Sequence, residues 1–468
     1  MKKYCLKSRA VSISLVLMLT LVAILTSCNE VPTMSPPEAD TFKPATDLLG
    51  DGTLQKRYSE YLENSTLAFT TSSPMGAENF EYEIISDGVK INSYIGEDGI
   101  IVVPEVIDGV AVTHIGEGAF SGGAIRAVYI PDSVTVIEKG AFSACDGLAT
   151  LRLPFIGDGG DKAFLGYIFG ADAAESNAIS VPPSLDMVII GEKTVEIKDE
   201  AFLGCKTLSA VVLPDSVESI GKFAFYECAD LCFVSLGASV KNIGEYAFAY
   251  CSYLYYVDCS MADSIATGAF IYCSRLNGMK ISLADGDYLG RLFGATTPDH
   301  NKEFVPDSLR RVEIAEGCTA IPDRAFTECY YIMSVTLPET LGSVGVRAFY
   351  SCRSLENIDI PDKTKIIGDD AFFGCDGLCE VSIGDGLEEL GMQAFYGCIS
   401  IESISLPESL KEIKSSTFYN CVSLSEVELG GVKKIGKNAF KKCNDMSVLS
   451  LDGIEVADGN EAIMPEGE

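Results

Sequence analysis

Hydrophobic positions in this chain recur on two scales at once. Within short stretches they alternate: in "LSAVVLP" (Leu208 to Pro214) and "LENIDIP" (Leu355 to Pro361) an opening Leu is followed by two variable residues, then by aliphatics at every second place. A period of two predicts a strand whose alternate side chains enter a core. On the longer scale, Phe stands at 120, 142, 202, 225, 248, 270, 326, 349, 372, 395, 418 and 440, in steps of 22 or 23 except for two of 60 and 56. Ala precedes each of these phenylalanines except at Thr417, and an aliphatic such as Ile220, Ile243, Val344 or Leu390 stands five places before. From the second repeat on, a cysteine follows three places after, from Cys145 to Cys443.

Such a unit cannot bury its apolar side alone, so neighbouring copies must stack and share one core. The pattern therefore predicts a repeat solenoid with one short parallel strand per coil of about 23 residues, wound into a curved rod. Phe, buried at a corner of every coil, would form an aromatic column, and the Ala beside it leaves room for the next coil. Pro at 131, 154, 214, 338, 361 and 407 ends the ladder and starts a turn. The two long steps are themselves a repeat: "FLGYIFGA" from Phe164 and "YLGRLFGA" from Tyr288 lie 124 apart. Each reads as one lengthened coil, 148–185 and 276–309, with a helical turn laid against its neighbours.

The assembled consensus, Leu-x-x-Val-x-Leu-Pro-x-x-Val-x-x-Ile-Gly-x-x-Ala-Phe-x-x-Cys, resembles the leucine-rich repeats of the BspA-like class, a bacterial surface family. The likeness runs from about Phe80 to Leu451, and the opening "VPEVIDGVAVTHIGEGAF" resembles the way such domains begin. In the general leucine-rich repeat Asn or Cys follows the strand. Here that place holds Ser133, Ser216, Thr340 and Ser409, while the cysteine precedes the strand, as in the bacterial variant. The resemblance implies a solenoid of residues 80–468 that binds proteins or glycans at a cell surface and mediates adhesion.

Ahead of the repeats the composition changes twice. Lys2, Lys3, Lys7 and Arg9 precede an apolar run from Val11 to Leu25, short for a membrane span but suited to a secretory signal. It ends in Leu25-Thr26-Ser27-Cys28, which resembles a bacterial lipobox. Residues 1–27 thus read as a lipoprotein signal peptide and Cys28 as the lipid attachment site, giving an exported, membrane-anchored protein on the bacterial surface. An ordinary signal peptide with an incidental cysteine, or an uncleaved anchor, is the alternative. Residues 28–79, rich in Pro, Ser, Thr and acids, read as a spacer, with a short amphipathic helix over Leu54, Tyr58, Tyr61 and Leu62.

Charge narrows the choice of partner. Asp and Glu outnumber Lys and Arg by 67 to 35, a formal charge of −32 that repels phosphate backbones and argues against nucleic acid. A hydrophobic content of 47% excludes a mostly disordered acidic chain. The two histidines, His114 and His300, sit in unrelated contexts and form no His-Glu-x-x-His arrangement. No nucleophile–base pair, metal motif or cofactor motif is legible, so the expectation is a non-enzyme without catalytic residues, metal or cofactor. Asp158, Asp161, Asp285 and Asp287 suit either solvated turns or calcium. The column cysteines read as buried thiols, with disulfides or metal as alternatives. Cys232 and Cys379 share one strand position expected to point inward.

Outward strand positions remain as the place for a ligand. One column runs Val212, Ser235, Asp258, Lys280 and Glu313; the other Ala210, Phe233, Tyr256 and Gly278. Phe233, Ser235, Tyr256, Asp258 and Lys280 are the candidate ligand-binding residues, because exposed aromatics beside polar groups suit recognition. Tyrosines that merely fill strand positions are the competing explanation. The expected partner is an extracellular protein or glycan, with membrane contact through the N-terminal lipid. A structural or nutrient-capture surface lipoprotein is the alternative function. If both long coils rose beside the strands, they would turn this lane into a trough.

Overall fold

The computed structural model describes residues 73–122, 125–447 and 449–463; the predicted signal, Cys28, nearly all of the spacer and its helix lie outside them. Among the described residues the chain winds into a parallel β-solenoid of about 16 turns. An ordinary coil opens with a strand of three or four residues, such as Ala210–Val212 or Tyr256–Cys259. It turns and adds a second, two-residue strand, such as Ser219–Ile220 or Ile366–Ile367. It then rounds the phenylalanine corner and returns through the cysteine. The second strand adds to the one expected from the sequence. Both strands pair in parallel with their counterparts one coil away: Ala210 with Phe233, Tyr256 with Gly278, Ser219 with Asn242.

Coil spacing sets the interior. Adjacent strands lie about 4.8 Å apart, so rings at one corner must stack nearly face to face. Phe349, Phe372 and Phe395 have centroids 5.1 Å apart and planes within 4°. The backbone fixes this register: the Phe225 N–H donates to Ala247 O at 2.7 Å, and Phe372 N–H to Ala394 O at 2.8 Å. At Thr417, the exception to the alanine rule, the hydroxyl donates to Lys414 O at 2.8 Å, so its buried polar atom is satisfied. At Gly391, before the corner, glycine is sterically required, since a Cβ there would lie 2.4 Å from the Gly368 carbonyl carbon and oxygen.

The two long coils hide a phenylalanine each. In the first, Phe142 N–H donates to Ile168 O at 2.8 Å, so Phe169 takes the corner; in the second, Phe270 N–H donates to Leu292 O at 2.9 Å and Phe293 does the same. Strand Thr150–Leu153 pairs directly with Met187–Ile190, and Gly278–Ile281 with Arg311–Ile314, so each long segment is one coil. Three fully buried asparagines stand where the repeat is interrupted. Asn177 Oδ1 accepts from Gly166 N at 2.7 Å, Asn301 Oδ1 from Gly290 N at 2.9 Å, and Asn460 Oδ1 from Phe440 N at 3.0 Å.

At the first turns the all-parallel pattern gives way. Phe80–Ile85 and Gly88–Tyr94 form an antiparallel hairpin whose second strand pairs in parallel with Val110–Ile115. Its Val89 and Ile91 are fully buried and close the end of the core.

Candidate ligand-binding surface

The strand lane is built by alternation. In Phe233–Ser235 the central Val234 is buried while Phe233 and Ser235 remain half-exposed. In Tyr256–Cys259, Val257 and Cys259 face the core while Tyr256 is half-exposed and Asp258 exposed. Lys280 lies between buried Met279 and Ile281. Ala210 and Gly278, expected in the outward column, are nonetheless buried, being small residues overlapped by larger neighbours.

These five residues do not share one continuous sheet. Strand Phe233–Ser235 ends one six-stranded sheet and Tyr256–Cys259 begins the next, although the two lie side by side. Phe233 and Ser235 therefore belong to one edge, and Tyr256, Asp258 and Lys280 to the other. On the latter side the geometry is tight. The Tyr256 ring lies over Gly278, where an added Cβ would come within 3.2 Å of ring carbon Cδ2. Burial, then the charges of Asp258 and Glu313, hold the Tyr256 hydroxyl well above its ordinary pKa. Lys280 Nζ pairs with Glu313 at 2.5 Å, and this hydrogen bond raises the lysine's pKa. Asp258 Oδ1 accepts from Ser260 N at 2.9 Å. The lane thus presents a phenolic ring, a neutralised ion pair and one exposed carboxylate.

The long coils leave this lane open. Their turns Leu165–Phe169 and Leu289–Phe293 stack on the phenylalanine corner, where Tyr167 O accepts from Gly140 N and Arg291 O from Gly268 N. The acids before them belong to their own turns. Asp158 Oδ1 accepts from Gly160 and Lys162 N, and Asp287 binds Ala284 N and Arg291. Beside the second turn a cleft of about 470 Å³ is lined by Ser264, Ser282, Asp287, Tyr288 and Arg291. Among the described residues no cluster of three His, Cys, Asp or Glu side chains is arranged to hold a metal ion.

The column cysteines are free thiols packed in the core. Cys228, Cys251, Cys352, Cys375, Cys398 and Cys421 each donate Sγ–H to the carbonyl of the preceding coil's phenylalanine at 3.0–3.2 Å. Burial pushes Cys145 up to about 11 and Cys443 to about 12. Cys232 and Cys379 correct the expectation of an inward position. Each is half-exposed and donates to a backbone carbonyl one coil back, Ser209 and Glu356, because the chain is still entering the strand there. His114 and His300 stay apart in separate elements; His114 Nδ1 meets Thr113 Oγ1 at 3.0 Å and His300 Nδ1 meets Thr297 Oγ1 at 3.1 Å.

A second aromatic column escaped the sequence reading. The residue after the core phenylalanine gives Tyr350, Phe373, Tyr396 and Tyr419, half-buried rings stacked 4.5–4.9 Å apart along the outside of the corner. Its signal is plain once the repeats are aligned on Phe349, Phe372, Phe395 and Phe418, but that position is variable elsewhere.

Comparison with known proteins places this architecture. A family model described as the BspA type leucine-rich repeat region matches in six copies, over residues 106–166, 175–285, 300–391 and 342–456. Among curated proteins none matches. Among solved structures, a leucine-rich repeat protein from Bacteroides ovatus is 23% identical, with 82% of this chain and 99% of that one covered and a TM-score of 0.34. The leucine-rich repeat protein of T. pallidum is 17% identical, over 80% and 91% of the two chains, with a TM-score of 0.20. The pneumococcal vaccine antigen PcpA is 19% identical, over 82% and 98%, with a TM-score of 0.27. With the repeat model covering most of the chain from residue 106 to 456, the chain belongs to the BspA-type leucine-rich repeat family.

Proposed function

We propose that this protein is a lipid-anchored surface receptor of the bacterial envelope, held by Cys28 and binding an extracellular protein or glycan through its strand lane. The observation that carries this reading is the run of outward side chains at Tyr256, Asp258, Lys280 and Glu313. It places a partly exposed ring beside charged groups on rigid, paired strands. Recognition surfaces are commonly built this way, with an aromatic anchor and a polar surround. The rest of the candidate chemistry is taken up elsewhere: thiols in the core, carboxylates in turns, histidines apart. Adhesion is the role that such a binding solenoid on a surface serves, rather than catalysis.

The experiment is adherence of cells displaying the full chain to immobilised matrix proteins and mucin glycans. Phe233→Ala with Tyr256→Ala removes side chains from the lane, and binding should fall at least tenfold with the fold retained. Undiminished adherence by that variant would remove the lane as the site. Absence of adherence to every surface would favour a structural or nutrient-capture role.

A further inference from the structure

Arginine is distributed very unevenly over this acidic chain. Of the nine in residues 73–463, all but Arg126 and Arg152 fall between Arg275 and Arg353. Four of these stand on one rim of the strand lane, where the coil passes from its cysteine loop into the strand. A ladder of backbone hydrogen bonds puts successive rim positions in a row: Asn277 N to Tyr255 O at 2.9 Å, Arg310 N to Asn277 O at 2.8 Å, Met333 N to Arg310 O at 2.8 Å, Glu356 N to Met333 O at 3.0 Å. Arg311 pairs with Gly278 on the next position in.

Tyrosines are interleaved with these arginines. The guanidinium of Arg275 sits 4.0 Å from the ring centre of Tyr253, that of Arg353 5.0 Å from Tyr330, and that of Arg310 5.5 Å from Tyr331. Arg275, Arg311 and Arg353 are exposed. Acids on the same strip are Asp307, whose backbone carbonyl accepts from Arg310, Glu356, and Asp376, which lies one coil on from Arg353 and close enough to feel its charge. A chain carrying −32 overall thus reverses its sign along one rim.

We infer that this rim binds an anionic polysaccharide, one bearing carboxylate or sulfate groups on its sugar rings. A guanidinium held over an aromatic face, as at Arg275 and Arg353, presents its N–H fork at the edge, which matches planar oxyanions in a bidentate fashion. Arg310 spends Nη1 on the Asp307 and Tyr331 carbonyls and adds its charge. One coil advances about 4.8 Å, close to the advance of one pyranose in an extended chain, so arginines on the first, second and fourth of the coils from Asn277 to Glu356 come within reach of charged groups spaced along the sugars. The surrounding acidic field repels the phosphate backbones of nucleic acids, whereas a glycan whose anionic groups line one edge of its chain confines its charge to the rim. Tyr256, over Gly278, continues the strip into the lane. This inference rests on the proposed binding function and names the chemical class of its ligand.

The test uses the full chain in detergent, with immobilised heparin and hyaluronan as the sulfated and carboxylate-only probes, dextran as the neutral one and single-stranded DNA as a different polyanion. Retention on heparin or hyaluronan that weakens with salt, no retention on dextran, and at least a tenfold loss in the triple variant Arg275→Gln, Arg310→Gln, Arg311→Gln are expected. Which polyanion binds distinguishes sulfate from carboxylate recognition. Arg347→Gln, which breaks a pair with Asp370 at the distant corner, should bind as the parent does. If the triple variant unfolds, the exposed single changes Arg275→Gln and Arg353→Gln take its place, each expected to lose severalfold. No retention at low salt, or retention indifferent to these arginines, overturns the inference. Equal, arginine-dependent binding of DNA overturns the assignment to glycans. Adherence that persists and depends on Phe233 and Tyr256 while both glycans fail would leave the binding function standing without this ligand.

Discussion

The backbone N–H of Phe440 donates to the side-chain oxygen of Asn460 at 3.0 Å, in the place where Ala439 O receives Phe418 N–H one coil earlier. Asn460 also donates to Gly436 O at 3.0 Å and is fully buried. A stack of coils leaves its last row of amides without partners, and this side chain supplies them. Asn460→Ala would strand a buried donor and acceptor, at about 1–3 kcal/mol each. The expected result is accelerated amide exchange at Phe440 and Phe418 with little change at Phe225, because coupling runs mainly between neighbours. Uniform acceleration along the chain would contradict the capping role.

The cysteine column makes the fold sensitive to alkali. Burial raises the thiols of the column, and of Cys259, above the ordinary value of 9.0, with Cys145 at about 11. The folded state therefore keeps protons that the unfolded state loses above pH 9. Stability from these groups is full below pH 9 and declines as pH rises toward the folded values, by up to about 1.4 kcal/mol per pH unit per thiol. Cooperative unfolding between pH 9 and 11, followed by circular dichroism, is expected. Cys375→Ala should shift the midpoint upward relative to its stability at pH 7, and an unchanged pH slope would refute the linkage. At pH 8 the same thiols should resist alkylation until the protein unfolds.

Backbone strain offers a stabilising change. Ala144 adopts φ 57° at the place, two after the core phenylalanine, where Gly122 and Gly204 adopt 75° and 69°. Left-handed backbone disfavours an L residue by about 1–2 kcal/mol, while glycine gives back about 0.4–1 kcal/mol through the unfolded chain. Ala144→Gly should therefore stabilise by about 0.5–1 kcal/mol in denaturant titration. Gly122→Ala, with open space around its Cβ, should destabilise by a similar amount.

Anchoring is tested at Cys28. Cys28→Ala should shift the protein from the detergent-extracted membrane fraction to the soluble or secreted fraction. Unchanged partitioning would point to an uncleaved span in place of a lipid.

Period and core were legible because Phe and Cys recur without drift, and a column that faces the interior tolerates little variation. The lane register was legible for the same reason: Val234, Val257 and Met279 had to be inside, so Phe233, Tyr256 and Lys280 had to be out. What the sequence hid depends on neighbours in other coils. Phe169 sits off the 22–23 spacing, and Phe293, though 23 residues after Phe270, follows Leu292 in place of the usual Ala; the hydrogen bonds of Phe142 and Phe270 reveal both as corners. The pairing of Lys280 with Glu313, 33 residues on, follows from a coil whose length varies. Asn177 and Asn301 share the 124-residue offset of the long coils, but two copies make no column, and Asn460 stands alone at its interruption. The arginine rim spreads over four positions whose residues vary from coil to coil, as Tyr255, Asn277, Met333 and Glu356 do at the place of Arg310, so alignment by repeat averages it away.

Phe372 lies between Phe349 and Phe395, 5.1 Å from each and fully buried. Phe372→Ala should cost about 3–5 kcal/mol through lost burial and the cavity left behind. Damage should begin locally, with protease cuts near residue 372 before either end of the solenoid is lost. Double substitution separates this from a global effect. Phe372→Ala with Phe395→Ala should depart from additivity by about 0.5–1.5 kcal/mol, since the rings share one stack. Phe372→Ala with Phe225→Ala, six phenylalanine corners away and with both long-coil corners excluded from contact with 372, should add within about 0.5 kcal/mol. Equal coupling in both pairs would mean that the solenoid unfolds as one unit, and that the column transmits strain along its length rather than between neighbours.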